Sequence, residues 1–131
     1  MWIYENRQFE DSEIDKYIGF VYLITNKTNN RKYVGKKLFW FTKTRTIKGK
    51  KKREKSFSDW KMYWSSSEEL KGDVKNLGEE NFTREILHLC MNKGTMSYLE
   101  LREQIDRRVL ETNEYYNAFV GGKIHKSHVK L

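Results

Sequence analysis

Tyr22 and Tyr33 stand eleven residues apart, one in Phe20-Val21-Tyr22 and the other in Tyr33-Val34-Gly35, and Lys36 follows the second by three residues. A phenol is a poor proton acceptor at its ordinary pKa of about 10 and improves only beside positive charge. Positive charge is abundant nearby. Residues 43–55, KTRTIKGKKKREK, hold Lys43, Arg45, Lys48, Lys50, Lys51, Lys52, Arg53 and Lys55 against one Glu, which is +7 of the net +8 and leaves +1 for the other 118 residues. A near-neutral body carrying one concentrated cationic run is the footprint of a polyanion binder, and nucleic acid is the commonest polyanion. Cutting such a polymer adds negative charge to a phosphodiester that already repels hydroxide, so cations must answer it. A magnesium-like ion held by a single carboxylate is sufficient as one of them, because it keeps most of its waters.

The elements that must position these groups follow from pattern. Gly19 to Asn26 and Lys32 to Phe41 are rich in aromatic and branched residues and predict two strands. Lys27-Thr28-Asn29-Asn30 between them supplies short polar residues suited to a turn, which predicts an antiparallel hairpin. The basic run after Phe41 lacks apolar periodicity and strong strand character, so it is expected to be a long loop, functional or disordered, an insertion at about 43–57 in a single domain spanning 1–131. A short helix is expected from Ser58. A second follows from the Ser66 to Glu69 capping box, with Leu70, Val74 and Leu77 inward and Gly78 as its stop. Asn81 to Cys90 predicts a third strand, and Thr95 to Thr112 a helix buried along Tyr98, Leu101, Ile105 and Val109. The order β-β-α-α-β-α gives an α/β (α+β) fold, a small three-stranded sheet with an antiparallel N-terminal hairpin flanked by helices.

Taken alone, Tyr22 and Tyr33 read as packing residues of half-buried strands. Glu100 closes a capping box with Ser97, and Asn117 suits a turn. His88 and Cys90, with His125 and His128, form two closely spaced pairs of zinc-ligand type, a count small enough to arise by chance. Arg84, Trp60 and Trp64 read as surface and core.

The paired motifs, with Asn26 and Asn29-Asn30 between them, resemble those of the GIY-YIG nuclease superfamily, which includes the phage homing endonucleases. The downstream order adds to the likeness: a Ser-rich helix start, a helix ending at Gly78, the strand to Cys90, a helix bearing Glu100, then Tyr116-Asn117. The resemblance covers residues 19 to 120. It implies a DNA endonuclease using one divalent ion, Mg2+ or Mn2+, with Glu100 as the metal ligand. Tyr22 then helps activate the attacking water, Tyr33 matches the second tyrosine and Asn117 the late asparagine. Lys36 is expected either to contact phosphate or to depress a tyrosine pKa. The family's arginine has no clean match: Arg53 fits by closeness to the helix carrying Trp60 and Tyr63, Arg45 by distance from Gly35. That gap keeps a second reading open, a nucleic-acid-binding or inhibitory protein on the same fold that has lost the chemistry.

Other classes fall away on composition. No apolar run approaches the ~20 residues that span a bilayer, so no membrane partner is expected. The acidic start MWIYENRQFEDSE does not suit a signal peptide, and one cysteine leaves no disulfide within the chain. The expected place is the cytoplasm, of a phage-infected bacterium on the resemblance. The expected partner is DNA, met singly or as a transient homodimer.

Overall fold

The strand β3, Gly19–Asn26, lies at the heart of the main sheet because both of its faces are apolar and both are covered. Phe20, Tyr22 and Ile24 point into an aromatic core with Trp2, Phe39 and Trp60, while Val21 and Leu23 meet Met96 and Leu99 on the other side. The computed structural model describes residues 1–131. Its elements are β1 Trp2–Tyr4, β2 Arg7–Gln8, β3, β4 Lys32–Leu38, β5 Trp40–Ile47, β6 Lys50–Phe57, α1 Glu68–Leu77, β7 Phe82–Cys90 and α2 Lys93–Asp106. The five-stranded sheet runs β2-β1-β7-β3-β4, with β1 parallel to β7 and the other pairs antiparallel; β5 and β6 form a separate ribbon.

The expected three-stranded unit is β7-β3-β4, enlarged by two short N-terminal strands. Those strands are joined by Glu5 and Asn6, both at positive φ (50° and 66°), as a two-residue hairpin turn demands. Glu-Asn is a weak turn signal, and three residues are too few to show periodicity.

The basic run is a correction. In place of a loop, residues 40–57 form two eight-residue strands paired in full register from Trp40 opposite Phe57 to Ile47 opposite Lys50. Lys48 and Gly49 turn the chain, again both at positive φ (50° and 77°). The strand expected to run unbroken to Phe41 ends at Leu38, because the buried Phe39 packs on Phe20 and Trp60 at ring distances of 4.9 and 5.2 Å. Each such aromatic pair contributes about 0.5–1.5 kcal/mol beyond area burial.

The helices shift as well. Only a single 3-10 turn, Trp60–Met62, follows Ser58. α1 is capped by Ser67, whose side chain accepts from Leu70 N, not by Ser66, and Gly78 ends it at φ 96°. Leu70 and Val74 are buried as expected, whereas Leu77 is exposed. α2 is capped by Asn92 through Thr95 N and stops at Asp106, six residues before Thr112; Arg108 at φ 56° turns the chain away. Its buried face is Thr95, Met96, Leu99 and Gln104, with Tyr98 and Leu101 half-buried and Ile105 57% exposed. Val109 is buried, but from outside the helix. Gln104 explains the error: its Nε2 donates to Val34 O, and a polar residue facing the sheet is invisible to an apolar stripe.

Candidate active site

Tyr22 and Tyr33 do meet. Tyr22 is opposite Gly35 on β4 and diagonal to Tyr33, and the two rings stack at 6.1 Å and 27°. Gly35 makes this geometry possible, since a Cβ there would collide with Tyr22 Oη and lie 2.9 Å from Tyr33 Cε1. A β-bulge between Val21 and Tyr22 on the β7 side lies at the same level and re-aims the strand locally. Tyr22 is only 1% exposed, and Tyr63 closes over its ring edge-on at 6.1 Å. Tyr33 lies in front, its hydroxyl sharing a hydrogen bond with Ser66 Oγ at 3.1 Å.

Strand alternation puts Lys36 on the opposite face of β4 from these phenols. There its Nζ donates to Ser97 Oγ at 2.8 Å and lies 3.8 Å from Glu100 Oε1. Ser97 is therefore engaged by Lys36 inside α2, the capping box with Glu100 does not form, and Glu100 sits mid-helix with no hydrogen bond from the protein. A cleft of about 680 Å³ wraps the β4 edge and joins the two faces, lined by Tyr33, Lys36, Ser66, Glu100 and Asn117 among others.

The electrostatics follow from depth. Burial pushes the Tyr22 phenol well above its ordinary pKa, and the neighbouring Tyr63 and Tyr33 phenols and the Glu100 carboxylate push the same way. Burial also raises Glu100, whose side chain is 16% exposed, while Lys36 pulls it back. Lys36 thus stands beside Glu100, on the face of β4 away from the phenols.

Asn117 is committed to the fold. Its Oδ1 accepts from Val34 N at 3.0 Å and its Nδ2 donates to Val34 O at 2.8 Å. Beside it, Lys32 N donates to Glu114 O and Tyr116 N to Lys32 O, so the late segment runs along β4. Tyr116 anchors it, donating to Asp73 at 2.6 Å and accepting from Asn26 Nδ2 at 3.0 Å.

Neither arginine reaches the site. Arg53 lies opposite Thr44 on the ribbon, and Arg45 pairs with Glu54 at 3.7 Å; both are exposed and neither lines the cleft. The one Lys or Arg that lines the cleft is Lys36; Lys37 and Arg31 lie behind aromatic rings beside it. Lys37 Nζ stands 4.0 Å over the Tyr63 ring and 2.6 Å from Asp59; the Arg31 guanidinium covers Tyr116 at 4.0 Å and pairs with Glu69 at 2.9 Å. Sequence reasoning missed Lys37 and Tyr63, although alternation from Tyr33 and Gly35 places Lys37 on the face of the tyrosines.

A family model described as "Putative endonuclease segE, GIY-YIG domain" matches residues 2–120. The chain belongs to the GIY-YIG endonuclease family. Comparisons with curated proteins and with solved structures give no match. Membership implies nuclease activity in general, and the matched residues include both Phe20-Val21-Tyr22 and Tyr33-Val34-Gly35. The match begins at Trp2, so it takes in the N-terminal strands that the resemblance from residue 19 onward left out.

The remaining sequence candidates lie elsewhere. His88 Nε2 pairs with Glu103 at 3.0 Å, Cys90 is buried with its thiol pushed up to about 11, and His125 and His128 sit together in the tail, so the four do not converge. No three His, Cys, Asp or Glu side chains gather as a metal cluster. Arg84, read as surface or core, is a buried strut between Trp2 and Trp64 at 4.7 and 4.2 Å; it donates to Lys61 O and Tyr63 O, and burial lowers its pKa to about 10. No helix is long and apolar enough to cross a membrane.

Proposed function

We propose that the chain is a metal-dependent DNA endonuclease that hydrolyses phosphodiester bonds in the cleft along the β4 edge. The observation that supports this most is Glu100, a largely buried carboxylate with no hydrogen bond from the protein, facing the cleft that Tyr33 and Lys36 also line. One carboxylate beside open, hydrated space fits Mg2+ or Mn2+, which take few protein ligands and keep their waters. Bound there, such an ion neutralises phosphate charge and acidifies a coordinated water.

The side chains divide the rest. Lys36, its Nζ beside Glu100 and its side chain 40% exposed, is the group that meets a phosphate oxygen. Tyr33 is the phenol at the cleft surface and can orient the attacking water, with Ser66 holding its hydroxyl. Tyr22 is neutral and buried, so it acts as a positioning residue behind Tyr33. In the reaction a water oxygen bonds to phosphorus, the bond to one deoxyribose oxygen breaks, and that oxygen takes up a proton. Asn117 holds β4 in place through Val34.

The homing-type role, the phage origin and the bacterial cytoplasm as its place extend this reading on the likeness of the hairpin. One site per chain implies nicking, or a transient homodimer for both strands. The cleft without Arg45 or Arg53 favours a second reading, a binding or inhibitory protein that kept the fold. Supercoiled plasmid incubated with Mg2+ or Mn2+ decides between them. Wild type should nick it and Glu100→Ala should not; equal nicking by both removes Glu100 from the site, and cleavage by neither across metals and sequences supports the second reading.

A further inference from the structure

The register of the basic ribbon sorts its side chains into two unlike faces. Trp40–Phe57, Thr42–Lys55, Thr44–Arg53 and Thr46–Lys51 are cross-strand pairs on one face; Phe41–Ser56, Lys43–Glu54, Arg45–Lys52 and Ile47–Lys50 share the other. The first face carries three threonines in a column along β5, three cations in a column along β6, no carboxylate, and a stacked Trp40–Phe57 pair at its base with rings 4.3 Å apart. The second face holds the ribbon's single acid, Glu54, its one ion pair, Arg45–Glu54, and an apolar tip at Ile47. On the first face Lys51, Arg53 and Lys55 have no ionic partner, the hydroxyls of Thr42, Thr44 and Thr46 make no hydrogen bond, and all six residues are exposed.

Dimensions name the surface that fits. Strands of eight residues at ~3.4 Å each reach about 27 Å, and the major groove of B-DNA, ~12 Å wide, admits a two-stranded ribbon. A threonine hydroxyl can give or take a hydrogen bond at any base edge, and its methyl can meet a thymine methyl. Cations in a column beside it suit the flanking phosphates.

We propose that the β5–β6 ribbon enters the DNA major groove with its threonine–cation face inward, Thr42, Thr44 and Thr46 reading base edges and Lys51, Arg53 and Lys55 holding one phosphate backbone. The inference rests on DNA being the substrate and adds how it is gripped and read. Duplex RNA is disfavoured, since its deep, narrow major groove excludes the ribbon.

The test compares two full-length variants that each remove three positive charges: Lys51→Thr/Arg53→Thr/Lys55→Thr on the threonine face, and Lys43→Thr/Lys50→Thr/Lys52→Thr on the other. Binding to a 30-base-pair mixed-sequence DNA duplex is measured in EDTA, with an RNA duplex of the same sequence alongside. The first variant should lose at least tenfold more affinity than the second, and its log affinity against log salt should flatten by about 3, the slope of three phosphate contacts. Equal losses, a larger loss for the second variant, or RNA bound as tightly as DNA overturns the proposal. Glutamine at the same positions repeats the comparison if threonine lowers the melting temperature.

Thr42→Val/Thr44→Val/Thr46→Val then keeps the strand shape and removes the hydroxyls. Selection from a duplex pool with 20 randomised base pairs should give a preferred sequence for wild type that this variant loses; an unchanged preference, or none in wild type, overturns the base reading. A face difference without metal-dependent nicking refutes only the nuclease. Nicking with equivalent faces refutes only this proposal, and binding to no duplex refutes both.

Discussion

The backbone of Gly35 lies directly beneath the phenol of Tyr22, so that a methyl group on Gly35 would occupy the place of Tyr22 Oη. Tyr22 is enclosed by Trp2, Phe20, Tyr33 and Tyr63 and has no room to withdraw. Gly35→Ala should therefore displace both phenols and cost about 1–3 kcal/mol, the usual penalty for overpacking. Thermal unfolding reads the loss, and plasmid nicking should fall with it. A stable Gly35→Ala protein with full activity would mean that the stack does not position Tyr33.

Glu100 makes a prediction of opposite sign. Its folded pKa is raised by burial, so its contribution is fully present below the unfolded pKa and is lost as pH rises through the folded value. Glu100→Gln should melt close to wild type below the ordinary carboxylate pKa of about 4.3 and increasingly above it as pH rises through the raised folded value, in EDTA, while losing roughly 100-fold or more in nicking rate with Mg2+. Melting curves across pH check the first half and plasmid assays the second; a variant less stable than wild type at pH 8 would make Glu100 a structural carboxylate.

Asn117→Asp tests the clamp on β4. Aspartate can still accept from Val34 N but cannot donate to Val34 O, and two carbonyl-type oxygens then face each other. The expected cost is about 1–3 kcal/mol, read by denaturant unfolding, with faster amide exchange at Val34. Unchanged exchange would show that Gln104, which also donates to Val34 O, suffices.

Arg84→Lys should not be conservative. Lysine lacks the planar fork that lies between Trp2 and Trp64 and reaches both Lys61 O and Tyr63 O. A loss of about 1.5–3 kcal/mol is expected for the charged hydrogen bond forfeited. Because the segment Lys61–Tyr63 carries the ring that encloses Tyr22, nicking should weaken more steeply than stability alone explains, measured well below the melting temperature.

The hairpin, the Gly78 stop, the strand before Cys90 and the helix bearing Glu100 were legible because each rests on local signals: alternation, a turn, a cap. The ribbon was less so, since composition spoke for a charged loop; yet Thr42, Thr44 and Thr46 alternate, and Lys48-Gly49 is a two-residue turn signal between them. The α2 stripe was misread because the tertiary partner of Gln104 is a backbone carbonyl seventy residues away. The ends of Tyr116 and Asn117 were recognisable as residues but not as a clamp, because their partners Asn26, Asp73 and Val34 come from three different elements. The arginine could not be placed by counting, because an inserted ribbon changes sequence distance without changing which strand edge borders the cleft.

The segment that runs beside β4 has a consequence for self-association. An unpaired sheet edge invites a strand from another molecule. Here Lys32 already exchanges hydrogen bonds with Glu114 and Tyr116, and the Asn117 amide imitates a further peptide unit at Val34. The molecule carries its own edge guard, so copies do not add to one another's sheets along this side. On the proposed reading, a pair acting on opposite strands of a duplex would have to meet through another surface or through the DNA itself, which would tie the spacing of the two cuts to something other than sheet extension at β4.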